Sequence, residues 1–314
     1  DCARVARANG ERIAEVPEVL LALLTSNQST FSREQMLRAL NTHTADVEQF
    51  NRCLAAVMAS PELVPLHADT GPERFTTRDV LATERRVRES GQSLAANGAH
   101  RVADAFVAQA IAARPTMNPE QQQALAHLTR DTGALALLEG YAGTGKSFML
   151  DAAREAWEAQ GLTVVGGALA GKAAEGLEES SGIPSRTLAS WIHGLDRGSL
   201  QLTAQHVLVI DESGMVGTRQ MGRLLEAAQA AGAKVVLVGD SRQLEAIEAG
   251  SPFHMLATEH GASAPSGCAT PRRPSATASR PRPSPPTTRT RRPTRPTRTA
   301  TRSRARPRRG RATT

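Results

Sequence analysis

Gly140-Tyr141-Ala142-Gly143-Thr144-Gly145-Lys146-Ser147 is a complete G-x-x-x-x-G-K-S stretch, and its setting decides the fold. Before it, Ala134–Glu139 is an apolar run of strand length; after it, Phe148–Gln160 has helical periodicity. Strand, glycine-rich turn and helix in that order aim backbone N–H groups, and the partial positive charge of a helix N-terminus, at one anion. Gly140, Gly143 and Gly145 let the loop curl against phosphate oxygens, and Thr144 completes the loop. Lys146 would then reach the β- and γ-phosphates of a nucleoside triphosphate, and the Ser147 hydroxyl would ligate Mg²⁺.

Further strands are expected at Thr163–Leu169, His206–Asp211 and Lys234–Asp240, with helix-length segments between them. Near-continuous apolar strands separated by helices predict a parallel sheet covered on both faces, an α/β P-loop domain over residues 114–260. The run His206–Ile210 ends in Asp211 and Glu212, 65 positions after Lys146. Two carboxylates at the C-terminal edge of such a sheet sit beside the phosphate loop. Asp211 would hold the magnesium and Glu212 would orient and deprotonate the attacking water. Val235–Gly239 leads to Asp240-Ser241-Arg242-Gln243-Leu244, so Gln243 could approach the γ-phosphate from the same edge. Asn118-Pro119-Glu120-Gln121 opens a helix ahead of the loop, with Asn as cap and Pro in the first turn.

The flanking zones differ. Residues 1–113 read as mostly helical: Ser32 and Gln35 have the spacing of a capping box, and helices are expected at Arg33–Leu40 and Val47–Met58, the second burying Phe50, Leu54 and Val57. Leu63–Leu66 and Arg74–Thr77, on either side of Asp69-Thr70-Gly71-Pro72, read as a hairpin. That order fits a winged-helix unit and fits equally a helical spacer that never meets DNA. Residues 261–314 use only Gly, Ala, Ser, Pro, Cys, Thr and Arg, and so contain nothing from which to build a core. All of these residue types have C or G at the second codon position, as GC-rich DNA read out of frame would give. The alternative is a disordered arginine tail that grips phosphates.

Charge follows the same division. The chain carries +7 overall, but residues 261–314 hold 15 Arg and no acid, which leaves 1–260 with 23 basic groups against 31 acidic ones. The folded part is therefore expected to be acidic, so the net charge is no sign of a basic nucleic-acid face. Cys2, Cys53 and Cys268 lie far apart, which argues against a disulfide framework or a cysteine zinc site. The longest apolar stretches, such as Val19–Leu24, are too short to span a membrane. Asp1 in place of Met implies a start inside a longer product, and a cytoplasmic location is expected.

The phosphate loop, Asp211-Glu212-Ser213-Gly214-Met215, and Gly239-Asp240 followed by Gln243-Leu244 together resemble superfamily 1 helicases of the RecD-like kind. Ala168–Leu177 is similar to their motif Ia. Ile183–Trp191, with Arg74-Phe75-Thr76-Thr77-Arg78-Asp79, narrows the resemblance to the helicase part of TraA-type conjugative relaxase–helicases, over about residues 10–260. The resemblance implies a RecA-like lobe, ATP as the nucleotide, single-stranded DNA and other conjugative-transfer proteins as partners, and 5′–3′ movement. It implies contact of Ala168–Leu177 with the strand and adenine reading by Gln121. Trp191, near that segment, is open to base stacking or to packing, whereas Trp157 is expected to pack. Such helicases also use a second lobe with an arginine finger, which 261–314 cannot fold into. The nicking tyrosine and metal-binding histidines of the relaxase part have no counterpart here, since Tyr141 is the only tyrosine.

Overall fold

A computed structural model describes residues 2–26, 28–66, 73–140, 145–239 and 252–263. Gly143, Thr144, Gln243 and the arginine-rich stretch from 264 onward lie outside the described residues.

The N-terminal part runs α1 (Cys2–Glu15), α2 (Glu18–Leu24), β1 (Phe31–Ser32), α3 (Arg33–His43), α4 (Val47–Ala59), β2 (Leu63–Leu66) and β3 (Arg74–Thr77). Local chemistry sets the helix starts. Ser32 Oγ accepts the Gln35 N–H at 3.1 Å while Gln35 Oε1 accepts the Ser32 N–H at 2.7 Å, a complete capping box. Asp46 caps α4 by accepting the Gln49 N–H at 2.8 Å. The strands form an antiparallel sheet in the order β1-β3-β2, and from α2 onward the element order is that of a winged helix. Sequence pattern does not reveal β1, which has only two residues; it exists because Phe31 pairs with Phe75, their rings stacked at 6.0 Å.

The buried face of α4 is Gln49, Cys53 and Val57, while Phe50 and Leu54 sit half-buried at its margin. This corrects the expected face by one helical row. The cause is α1, which crosses α4 so closely at Gly10 that a Cβ there would lie 2.3 Å from the Gln49 side chain.

Composition groups the next two helices with this part, but packing assigns them elsewhere. Helix α5 (Arg78–Ala96) buries Val87 and Leu94 on one face of the large sheet, and α6 (Asp104–Ala112) buries Val107 and Ala110 on the other. Then follow α7 (Pro119–Ala126), a π-helical turn (His127–Asp131), β4 (Leu135–Glu139), α8 (Lys146–Ala159), β5 (Thr163–Ala168), α9 (Gly171–Ser181), β6 (Ser185–Thr187) and α10 (Leu188–Asp196). The lobe closes with β7 (His206–Ile210), a 3-10 turn (Ser213–Met215), α11 (Thr218–Ala231), β8 (Lys234–Gly239) and α12 (Pro252–His260).

The large sheet has the order β4-β8-β7-β5-β6, every pair parallel. Alternation of side chains splits its strands between two cores. Ala136, Leu138, Val207, Val209, Val236 and Val238 meet the α6, α7 and α8 side, whereas Leu135, Leu137, Leu208, Ile210, Val235 and Leu237 meet the α5, α10, α11 and α12 side. Both faces being covered is why these strands read as unbroken apolar runs. Beyond α12, Ser263 bridges to the free edge of β4 in parallel, donating to Leu137 O at 3.0 Å and accepting from Glu139 N at 2.8 Å. Among the described residues, no helix is long and apolar enough to cross a membrane.

Candidate nucleotide site

Among the described residues, the C-terminal edge of the parallel strands carries Gly140, Lys146, Ser147, Asp211 and Glu212. Strand β4 delivers Gly140, whose N–H donates to Gly239 O at 3.0 Å, so the phosphate loop leaves the sheet beside the end of β8. Its far end is Gly145, with φ 80°, a left-handed conformation that glycine adopts without a steric penalty. Lys146 and Ser147 form the first turn of α8, and the Lys146 ammonium donates to Gly140 O at 2.5 Å. The cation is thus held across the mouth of the loop, where a phosphate oxygen could replace the carbonyl. A helix of 14 residues stands behind it with its first-turn N–H groups open to an anion.

Asp211 and Glu212 follow β7 two strands away in the sheet order. The Asp211 N–H donates to Gly167 O on β5 at 2.9 Å, and its Oδ1 accepts the Glu212 N–H at 2.8 Å. Glu212 has φ 52° and ψ 32°, the single non-glycine residue with positive φ among those described. Left-handed backbone costs an ordinary residue about 1–2 kcal/mol. It is held in place by the turn beyond it: Ser213 is fully buried and its hydroxyl donates to Ile210 O at 2.7 Å. The turn leaves Glu212 exposed and Asp211 partly so, at the edge from which the loop also opens. A lysine, a serine hydroxyl, two carboxylates and a helix N-terminus make a donor set that suits a magnesium-bound triphosphate.

Gln121 is drawn into the site in a way the sequence does not foretell. Its Oε1 accepts the Asn118 N–H at 3.1 Å and its own N–H donates to Asn118 Oδ1 at 2.9 Å, closing a second capping box. Its Nε2 rests against the phosphate loop, 2.6 Å from where a Cβ on Gly145 would be. Gly239, the last described residue of β8, is packed under Phe253 of α12, whose ring would meet a Cβ at 2.7 Å. On the β5 side of the same edge, Lys172 is exposed in the first turn of α9 and Arg186 is exposed on β6.

The tryptophans separate plainly. Trp157, on the inner face of α8, is wholly buried. Trp191 is 4% exposed, donates its indole N–H to Gly166 O at 2.8 Å and carries the Arg186 guanidinium over its ring at 5.2 Å. Its ring is therefore a core element, and base stacking on it is excluded in this conformation.

Sequence reasoning missed Arg114. Almost fully buried, it donates to Asp151 Oδ2 at 2.6 Å and Glu155 Oε2 at 2.7 Å and lies 6.0 Å from the Phe148 ring centroid, fastening the end of α6 to the phosphate helix. Burial opposes ionisation of Asp151, but hydrogen bonds from Arg114 and Arg154 outweigh it and hold the carboxyl below its ordinary value. Arg154 joins the same network at helical spacing, pairing with Asp151 and Glu158.

Residues 116–266 match the AAA domain family. The chain is 40% identical over 261 residues to a probable conjugal transfer protein TraA of Sinorhizobium fredii and 36% identical over 261 residues to the conjugal transfer protein TraA of Agrobacterium fabrum. Each alignment covers 81% of this chain and 24% of the relative, so the chain spans about a quarter of the proteins it matches. An ATP-dependent RecD2 DNA helicase of Deinococcus radiodurans is 36% identical over 149 residues, 46% of this chain and 20% of the helicase. This chain is thus similar to a segment of TraA-type conjugal transfer proteins and, over part of its length, to an ATP-dependent DNA helicase.

Proposed function

We propose that this chain is the ATP-binding motor lobe of a DNA helicase, a DNA-dependent ATPase used in conjugative DNA transfer. The observation that carries the reading is the Lys146 ammonium poised at Gly140 O, on the sheet edge where β7 presents Asp211 and Glu212. In this reading Gly140 to Ser147 cradle the phosphates, Ser147 and Asp211 hold Mg²⁺, Glu212 prepares the water and Gln121 meets the adenine. Gln243 reports on the γ-phosphate. The magnesium-bound nucleotide supplies the phosphoryl group whose transfer to water drives movement. Lys172 and Arg186, on the β5–β6 side of the edge, would lie toward a single strand.

A helicase motor opens and closes on its nucleotide and supplies charge to the transition state. We expect tight Mg-ATP binding and hydrolysis stimulated by single-stranded DNA. Hydrolysis indifferent to single-stranded DNA would favour a P-loop ATPase unrelated to DNA.

A further inference from the structure

Helix α5 touches the lobe in a selective way. Its first turn meets the start of α11: Arg219 Nη2 donates to Asp79 Oδ2 at 2.6 Å and Nε to the same oxygen at 3.2 Å. The guanidinium also donates to Thr25 O at 3.2 Å, in the connection between α2 and β1. Beside it the Thr218 and Ser29 hydroxyls are hydrogen-bonded at 3.1 Å, and Thr76 of β3 donates to Ser29 O at 2.7 Å. Further along, α5 lies so close to α11 that a Cβ on Gly222 would meet Val87 at 3.3 Å and Thr83 at 3.5 Å. Its last turns pack on α12, where Arg88 pairs with Glu259 at 2.6 Å and a Cβ on Gly91 would strike Leu256.

The two helices that α5 grips share one property. Helix α11 begins three residues after the turn Ser213–Met215, which fixes Glu212 in its left-handed conformation. Helix α12 follows β8 in the chain and seats Phe253 on Gly239 at that strand's end. At its other end, α5 continues directly from β3 with Thr77 as its cap, so it is covalently joined to the three-stranded N-terminal sheet. A shift of the Asp211–Glu212 turn would therefore press first on Thr218 and Arg219, and through them on Thr25, Ser29 and Asp79.

We infer that the Arg219–Asp79–Thr25 contact is a latch through which nucleotide at the phosphate loop and the conformation of the N-terminal unit control one another. The inference rests on the proposed nucleotide site and adds a positioning role for Arg219, which touches no nucleotide. Coupling between sites is reciprocal: whatever the nucleotide adds to the latch, the latch adds to nucleotide affinity.

The test is hydrogen–deuterium exchange of the full chain, with and without a non-hydrolysable ATP analogue and Mg²⁺, alongside a nucleotide titration. Saturating nucleotide should slow exchange over Glu18–Ser32 by at least about 5-fold, the lower end of ordinary coupling. Arg219→Ala and Asp79→Ala should abolish the slowing and weaken nucleotide binding by no more than the same factor. The charge exchange R219D/D79R should restore both. Arg86→Ala removes a pair to Glu226 in the same helix interface at 3.4 Å, farther from the turn, and should leave the slowing intact. Nucleotide binding without any slowing overturns the latch while the functional reading stands. Loss of the slowing in Arg86→Ala also overturns it, since the interface would then act only by its stability. Failure to bind nucleotide overturns both readings, and the titration separates that case from the others.

Discussion

The N-terminal unit and the α/β lobe are built with the same local devices, yet only one displays its chemistry. Both open helices with capping boxes, Ser32 with Gln35 and Asn118 with Gln121, and both bury aromatic side chains. In the lobe, parallel strands end together, so every loop at the C-terminal edge is brought to one place and polar residues there converge. In the N-terminal unit α4 packs on α1 at Gly10, and charged side chains pair across the two helices, Arg52 with Glu11 and Arg7 with Asp46. No array of cations faces outward from α4. Topology, rather than composition, determines which region makes a site.

The largest effects should come from the two cores. Trp157→Ala and Phe75→Ala each empty a fully or nearly fully buried aromatic site and should cost about 3–5 kcal/mol in chemical denaturation. If the regions differ as described, Trp157→Ala should abolish nucleotide binding, whereas Phe75→Ala should leave it within about 5-fold, the factor the latch transmits. Equal loss in both would break the distinction.

A second contrast concerns pH. Lys234 is fully buried at the start of β8, where among the described residues its ammonium meets Gly133 O and Thr132 Oγ1, and burial pushes its pKa down to about 7. The unfolded chain binds that proton up to a pKa of about 10.4, so the lobe should gain stability as pH rises from about 7 to 10. Between pH 7 and pH 9 the gain should be roughly 2 kcal/mol. His100 and His127 are also held below their ordinary values, chiefly by burial, which extends the slope to the acid side of neutrality. Lys234→Met should flatten the urea midpoint between pH 7 and pH 9; an unchanged slope would show that another group titrates.

The smallest effects sharpen the comparison most. Asn118→Ala and Asp46→Ala each remove a helix cap and should cost about 1 kcal/mol in thermal or urea unfolding. Only the first should weaken nucleotide binding, because the Asn118 side chain accepts the Gln121 N–H and so sets the helix start from which Gln121 reaches Gly145.

Much of the lobe was legible because local patterns and global packing agree there. Strand limits at Ala134–Glu139, Lys234–Asp240 and His206–Asp211 fall within a residue of β4, β8 and β7, since strands covered on both faces carry apolar residues at every position. Strands β1 and β6 escaped because two or three residues show no period. The attachment of α5 and α6 escaped because an amphipathic helix does not say which apolar surface it meets. In the site, Lys146, Ser147, Asp211 and Glu212 were readable from spacing to the strands. Arg114 and Arg219 were not, because their partners lie 37 and 140 positions away, at Asp151 and Asp79.

The most direct measurement is a nucleotide titration of the whole chain, wild type beside Lys146→Ala, with and without Mg²⁺. Wild type should bind ATP, more tightly with the metal, and Lys146→Ala should lose about 100-fold or more in affinity, as expected when a hydrogen-bonded charge partner of a phosphate is removed. Equal affinity in the two proteins would contradict the site at Gly140–Ser147 and, with it, the reading of this lobe as a nucleotide-driven motor.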